Sequence, residues 1–194
     1  MKADITLKIT PKMAADAQGN ERVALAGHLG THFDVMNQEF PLEYTERPGV
    51  IFDVRNIFGR DIVPEDIDVS KIKKGAFTAF CTGYSSREPY GSHAYFSGHP
   101  QLSLDLIRLL VEKEVSIIGV DCAGVRRGKE HTPTDQYCAD HGVFVVENLW
   151  GLEQLLDSEN WIIHTYPMNY AGLTGLPCRV IAELPQARGT QCTA

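Results

Sequence analysis

Residues 28–34 read His-Leu-Gly-Thr-His-Phe-Asp, HLGTHFD, and place two imidazoles and a carboxylate around a Gly-Thr pair. In an extended strand the two histidines would stand about 13 Å apart, at a rise of roughly 3.3 Å per residue. A single ion with metal–nitrogen bonds of about 2.0 to 2.1 Å could not reach both. The segment is therefore expected to bend, and Gly30 allows backbone angles that other residues resist. Leu29 stands where helical zinc proteases carry a glutamate, so any hydrolytic base has to come from elsewhere in the chain.

Working outward, VSIIGVD at 115–121 and GVFVVENL at 142–149 read as buried strands, each ending in a carboxylate or its neighbour. GLPCRVIAEL at 175–184 sets a proline before a further apolar run. With these segments in this order, HLGTHFD resembles the HxGTHxD signature of the cyclase family of metal-dependent hydrolases, which includes bacterial kynurenine formamidase and isatin hydrolase. The resemblance implies one mixed α/β domain with a barrel-like β-sheet flanked by helices. It also implies that His28, His32 and Asp34 hold a metal and that Glu147 closes the site from the second half of the chain.

Two positions depart from the formamidase pattern. The histidine that follows the motif as acid/base in formamidases is Gln38 here, and an amide cannot shuttle a proton near neutral pH. The histidine that binds a second metal in formamidases is Asp135 here, which can still ligate. His131 lies four residues before Asp135, so a helical turn could present both, although Pro133 favours a helix that begins at or after Thr132. His131 is a candidate ligand and equally a solvated histidine beside Arg126, Arg127 and Lys129.

The expected chemistry is hydrolysis of an amide, formamide or lactam C–N bond, with a divalent ion lowering the pKa of its water toward about 7. Gln38 is a candidate hydrogen-bond donor to the oxyanion. Glu147 is a candidate ligand and catalytic carboxylate, and His93, in the aromatic stretch from Ser85 to Pro100, a candidate replacement acid/base. Zinc suits the imidazoles, while a carboxylate-rich set with Asp135 also suits manganese. The competing reading is a metal-binding relative without turnover that serves as a ligand-binding protein.

The 194 residues, 43% hydrophobic, suffice for one well-buried core. One domain is expected over residues 1–185, with a polar tail at 186–194. A formal charge of −7 with mixed signs argues against nucleic acid as partner. The opening residues contain no apolar block of signal-peptide length, nor does any stretch reach the roughly 18 apolar residues of a membrane span, so a cytoplasmic address is expected. Five cysteines without a CxxC pair read as free thiols. The partners expected are a small-molecule substrate and, from the family, a homodimer or larger homo-oligomer.

Elsewhere, DITLKIT at 4–10, VIFDV at 50–54 and AFTAFCTGY at 76–84 read as strands, and 66–74 as a short helix or loop. Ser103 is placed to cap a helix with Leu104, Ile107, Leu110 and Val111 on one stripe, and 135–140 to form a short helix ending at Gly142.

Overall fold

The computed structural model describes residues 1–19 and 27–185. Its strands are β1 (Lys2–Asp4), β2 (His32–Asp34), β3 (Glu46–Asp53), β4 (Phe77–Cys81), β5 (Ile117–Val120), β6 (Phe144–Glu147), β7 (Trp161–Pro167) and β8 (Gly175–Glu183). Its α-helices are α1 (Pro11–Asp16), α2 (Tyr84–Arg87), α3 (His93–Gly98), α4 (Leu104–Glu112) and α5 (His131–Asp140). The strands follow the order β1-β8-β2-β6-β5-β4-β3-β7, and β7 pairs again with β8. Seven strands thus close into a ring, with β1 attached to β8 outside it, as the barrel-like mixed sheet requires.

Neighbours β3, β4, β5 and β6 are parallel, which demands crossovers; α4 supplies one of them between β4 and β5. The remaining pairings are antiparallel. Alternate residues divide between two apolar masses, as a strand's two-residue period dictates. Phe33, Phe77, Ala79, Ile117, Phe144 and Val146 join Trp161 and Val180 in one. Phe80, Ile118, Val120 and Val145 pack with Leu106, Ile107 and Leu110 of α4 in the other. Because Phe33 and Val146 belong to the first mass, their neighbours His32, Asp34 and Glu147 lie on the opposite face of the sheet, the side that carries the helices.

Several expectations are corrected. The stretch 85–100 folds into α2 and α3, and β7 forms where no strand was expected. The segment 66–74, in contrast, is the short helix or loop expected, with a 3₁₀ turn at Val69–Lys71. Helix α4 buries Leu106 in place of Leu104, which stays 39% exposed. Helix α5 starts at His131 and carries Pro133 in its first turn, where the missing N–H has no intrahelical acceptor to lose. Among the described residues Cys81, Cys122, Cys138 and Cys178 are free thiols, and no helix is long and apolar enough to cross a membrane. Cys192 and the expected tail at 186–194 lie outside the described residues.

Candidate metal centre

The bend expected in HLGTHFD lies at Gly27–Thr31, and the strand begins at His32. Gly30 sits at φ +75° with no room for a Cβ, which would meet Ile9 Cδ1 at 2.7 Å. The turn swings His28 back over the strand, while the two-residue period puts His32 and Asp34 on one face. His28 Nδ1 lies 3.0 Å from both His32 Nε2 and Asp34 Oδ1, and His32 Nε2 lies 3.6 Å from Asp34 Oδ1. Donor atoms about 2.0 to 2.1 Å from one tetrahedral ion are separated by roughly 3.3 to 3.4 Å, so these three converge at ligand spacing.

Strand register brings in the distant carboxylate. His32 stands directly opposite Glu147 across the antiparallel β2–β6 pair, and Glu147 Oε2 lies 3.6 Å from His32 Nε2. The other oxygen, Oε1, faces His131 Nε2 at 3.7 Å, and His131 Nε2 lies 3.4 Å from Asp135 Oδ2. Gly124, at φ +123°, leaves the space that His131 occupies, since a Cβ there would meet its ring at 2.7 Å. Two donor groups result, His28/His32/Asp34 and Asp34/His131/Asp135/Glu147, and they share Asp34.

The protonation of two of the imidazoles follows from their partners. His32 Nδ1 lies 2.8 Å from the Gly30 carbonyl oxygen and His131 Nδ1 lies 3.1 Å from that of Arg126. A carbonyl only accepts, so each Nδ1 carries a proton, and the neutral ring then presents its Nε2 lone pair to the carboxylates. His28 bonds through Nε2 to the Thr174 hydroxyl at 2.9 Å, which leaves Nδ1 facing the group. Lone pairs thus meet carboxylate oxygens, an arrangement that a cation resolves.

The carboxylates support the same conclusion. Asp34, Asp135 and Glu147 are all buried, and Asp34 Oδ2, Asp135 Oδ1 and Glu147 Oε1 are buried without a hydrogen-bond partner. Burial pushes Asp135 and Glu147 well above the usual carboxylate range, with the Asp34 charge adding to it. Burial acts on Asp34 in the same direction, but in the metal-free protein the charge of His32 and hydrogen bonds from His28 and His32, when these rings are protonated, outweigh it and hold its carboxyl well below that range. Three carboxyls in so dry a space, with histidine lone pairs turned inward, form a donor set that fits a divalent cation.

The remaining candidates lie elsewhere. Gln38 is exposed, and its amide donates long bonds to Asn37 and Asp140, both at 3.4 Å, so it is not presented to the carboxylates. His93 is also exposed at the start of α3, with Nδ1 3.2 Å from Ser97 Oγ. The aromatic stretch does reach the centre, through tyrosines that sequence reasoning left unassigned. Tyr90 Oη accepts the Gly30 N–H at 2.9 Å, and Tyr95 Oη donates to Asn148 Oδ1 at 2.9 Å.

A further group, Cys81, Asp121 and Glu153, has a structural explanation. Asp121 accepts from Thr82 N at 2.9 Å and Gly83 N at 2.7 Å as well as from the Thr82 hydroxyl, and so ties the end of β5 to the turn after β4.

Comparison with known proteins bears on the family and the fold. A family model described as "Putative cyclase" matches residues 3–127. No curated protein matches the sequence. Among solved structures, a potential metal-dependent hydrolase with cyclase activity aligns at 23% identity over 95% of this chain and 99% of its own, TM-score 0.73. A predicted metal-dependent hydrolase from Bacillus stearothermophilus aligns at 22% identity over 94% and 97%, TM-score 0.72. Isatin hydrolase A from Labrenzia aggregata, bound to benzyl benzoate, aligns at 23% identity over 79% and 72%, TM-score 0.65. At these identities the structural likeness is one of fold, whereas the sequence match spans more than half of the chain: the protein belongs to the cyclase family.

Proposed function

We propose that the chain is a metal-dependent hydrolase acting on the C–N bond of a small amide, formamide or lactam, at a centre that holds two divalent ions. The observation that carries this reading is the pair of donor groups joined by Asp34 and by the two oxygens of Glu147. His28, His32 and Asp34, with Glu147 Oε2, would hold one ion; Asp34, His131, Asp135 and Glu147 Oε1 would hold the other. A bound divalent ion supplies Lewis-acid polarisation of a carbonyl and a water whose pKa falls toward about 7.

Two imidazoles suit the first position to zinc, and the carboxylate-rich second suits manganese as well. Tyr90 and Phe96 pack edge to face on each other and on the buried Tyr95, and would offer an apolar surface to an aromatic substrate. The name of the isatin hydrolase neighbour is consistent with a lactam among the substrates. The proposal includes a soluble cytoplasmic enzyme that assembles as a homodimer or larger homo-oligomer, checked by sedimentation.

Elemental analysis of purified protein, followed by zinc- and manganese-loaded assays on N-formyl amines, isatin-like lactams and simple esters, tests the reading. Two equivalents of metal are expected in the wild type, with His131→Ala keeping about one and His32→Ala losing turnover altogether. Metal uptake without turnover of any substrate on the panel would support the ligand-binding alternative, which the remote positions of Gln38 and His93 favour.

A further inference from the structure

Asn148 is the residue after Glu147, and it is buried with its backbone at φ +58°. Asparagine is among the few residues other than glycine that visit this left-handed region, so position 148 has an ordinary conformational explanation. Its side chain has a separate role. Asn148 Nδ2 donates to the Gly30 carbonyl at 2.9 Å, the same oxygen that accepts His32 Nδ1–H at 2.8 Å. Because that carbonyl only accepts, it fixes which way the amide faces, and Asn148 Oδ1 is left to accept from Tyr95 Oη at 2.9 Å.

The Gly30 peptide is held from its other end as well, because its N–H donates to Tyr90 Oη. The Thr31 hydroxyl completes the clamp: its Oγ1 donates to the Asn148 carbonyl at 2.7 Å and accepts Leu7 N–H at 2.8 Å. Both backbone polar atoms of Gly30 therefore have buried or partly buried partners, and the carbonyl has both of its lone pairs engaged.

We propose that Tyr95 and Asn148 are positioning residues that orient His32, by fixing the Gly30 carbonyl to which its Nδ1–H donates and so keeping Nε2 turned toward the carboxylates. The inference rests on the metal-binding reading of His32 and adds to it a hydrogen-bonded relay, Tyr95 to Asn148 to Gly30 to His32, that neither the motif nor the ligand set contains. Without the amide, the Gly30 carbonyl is free to rotate, and the imidazole can exchange tautomers or swing out of line with Glu147. Partners that orient a ligating histidine from behind are worth about 10- to 100-fold in metal affinity.

The conformational and relay roles of Asn148 can be separated, because glycine tolerates φ +58° and carries no amide. Nitrogen-15 NMR of the metal-free wild type, at a pH where the imidazoles are neutral, is expected to show His32 protonated at Nδ1. In Asn148→Gly the His32 resonances should report mixed tautomers, and the zinc dissociation constant, measured by chelator competition, should rise about 10- to 100-fold. Tyr95→Phe should move both readouts the same way by less.

Protonation of His32 at Nε2 in the wild type would overturn the proposal. So would an Asn148→Gly protein with wild-type tautomer and zinc affinity, which would reduce position 148 to its backbone angle. If Asn148→Gly does not fold, the wild-type tautomer and the Tyr95→Phe affinity decide. A wild type that binds neither zinc nor manganese would defeat the proposed function, while the metal-free tautomer measurement would still test the relay.

Discussion

His99 is a buried histidine that the metal centre does not use, and its environment makes a prediction of its own. It is 1% exposed, with Nδ1 2.8 Å from the Pro100 carbonyl and the ring edge-on to Tyr84. Burial pulls its pKa down to about 4, against the opposing effect of the Pro100 bond. An unfolded histidine titrates near 6.5. Between about pH 6.5 and 4 the unfolded chain therefore takes up a proton that the folded chain refuses. Stability tied to His99 is present above pH 6.5 and lost as pH falls through that window. Replacing His99 with Gln is expected to flatten this part of the acid limb in urea titrations run from pH 7 to 4. His28, His32 and Asp34 were legible in the sequence as a donor group because metal chemistry restricts residue type, whereas Glu147 was reached only through the family resemblance. Asn148, Tyr90 and Tyr95 were not, because they act on a peptide group, and any residue could have supplied that group.

At the scale of elements, α4 was the most legible. Ser103 caps it as expected, accepting from Leu106 N at 3.1 Å. Ser103→Ala should cost about 1 kcal/mol, and Leu110→Ala, at a fully buried position, about 2 to 5 kcal/mol. Thermal unfolding checks both, and metal affinity should be unchanged in the first. The parallel run β3 to β6 was also readable, from apolar segments separated by polar ones. Strand β7 was harder: Trp161, Ile163 and Thr165 alternate inward, but Ile162 and Tyr166 on the other face hide the two-residue period. Helices α2 and α3 were missed because each is so short that turn residues dominate its composition. Only the fold places α5 so that both His131 and Asp135 reach Glu147, since helical spacing alone says nothing of what the pair faces.

For the whole molecule, the centre makes stability depend on pH and metal together. Without metal, Glu147 and Asp135 titrate above their unfolded values, so their contribution is fully present below about pH 4 and declines as pH rises through their elevated folded values. Asp34 acts oppositely, its contribution being present above about pH 4 and lost below. Metal-free protein is therefore expected to lose melting temperature as pH is raised from mildly acidic values. Saturating zinc or manganese should reverse that slope, because binding requires the deprotonated carboxylates and tightens with pH. Free metal at 100 times its dissociation constant would add about 2.7 kcal/mol. Calorimetric scans with and without metal across pH 5 to 8 test this.

The closed ring also orders events in time. Among the described residues, strand β2, which carries His32 and Asp34, pairs with β6 and β8, and both follow it far along the chain. During synthesis the first half of the donor set must wait, unpaired, until residues 144–147 and then 175–183 emerge. Such long-range pairing is slow to form. The cation site is thus a late product of folding, and metal capture reports that the last strand has found its place.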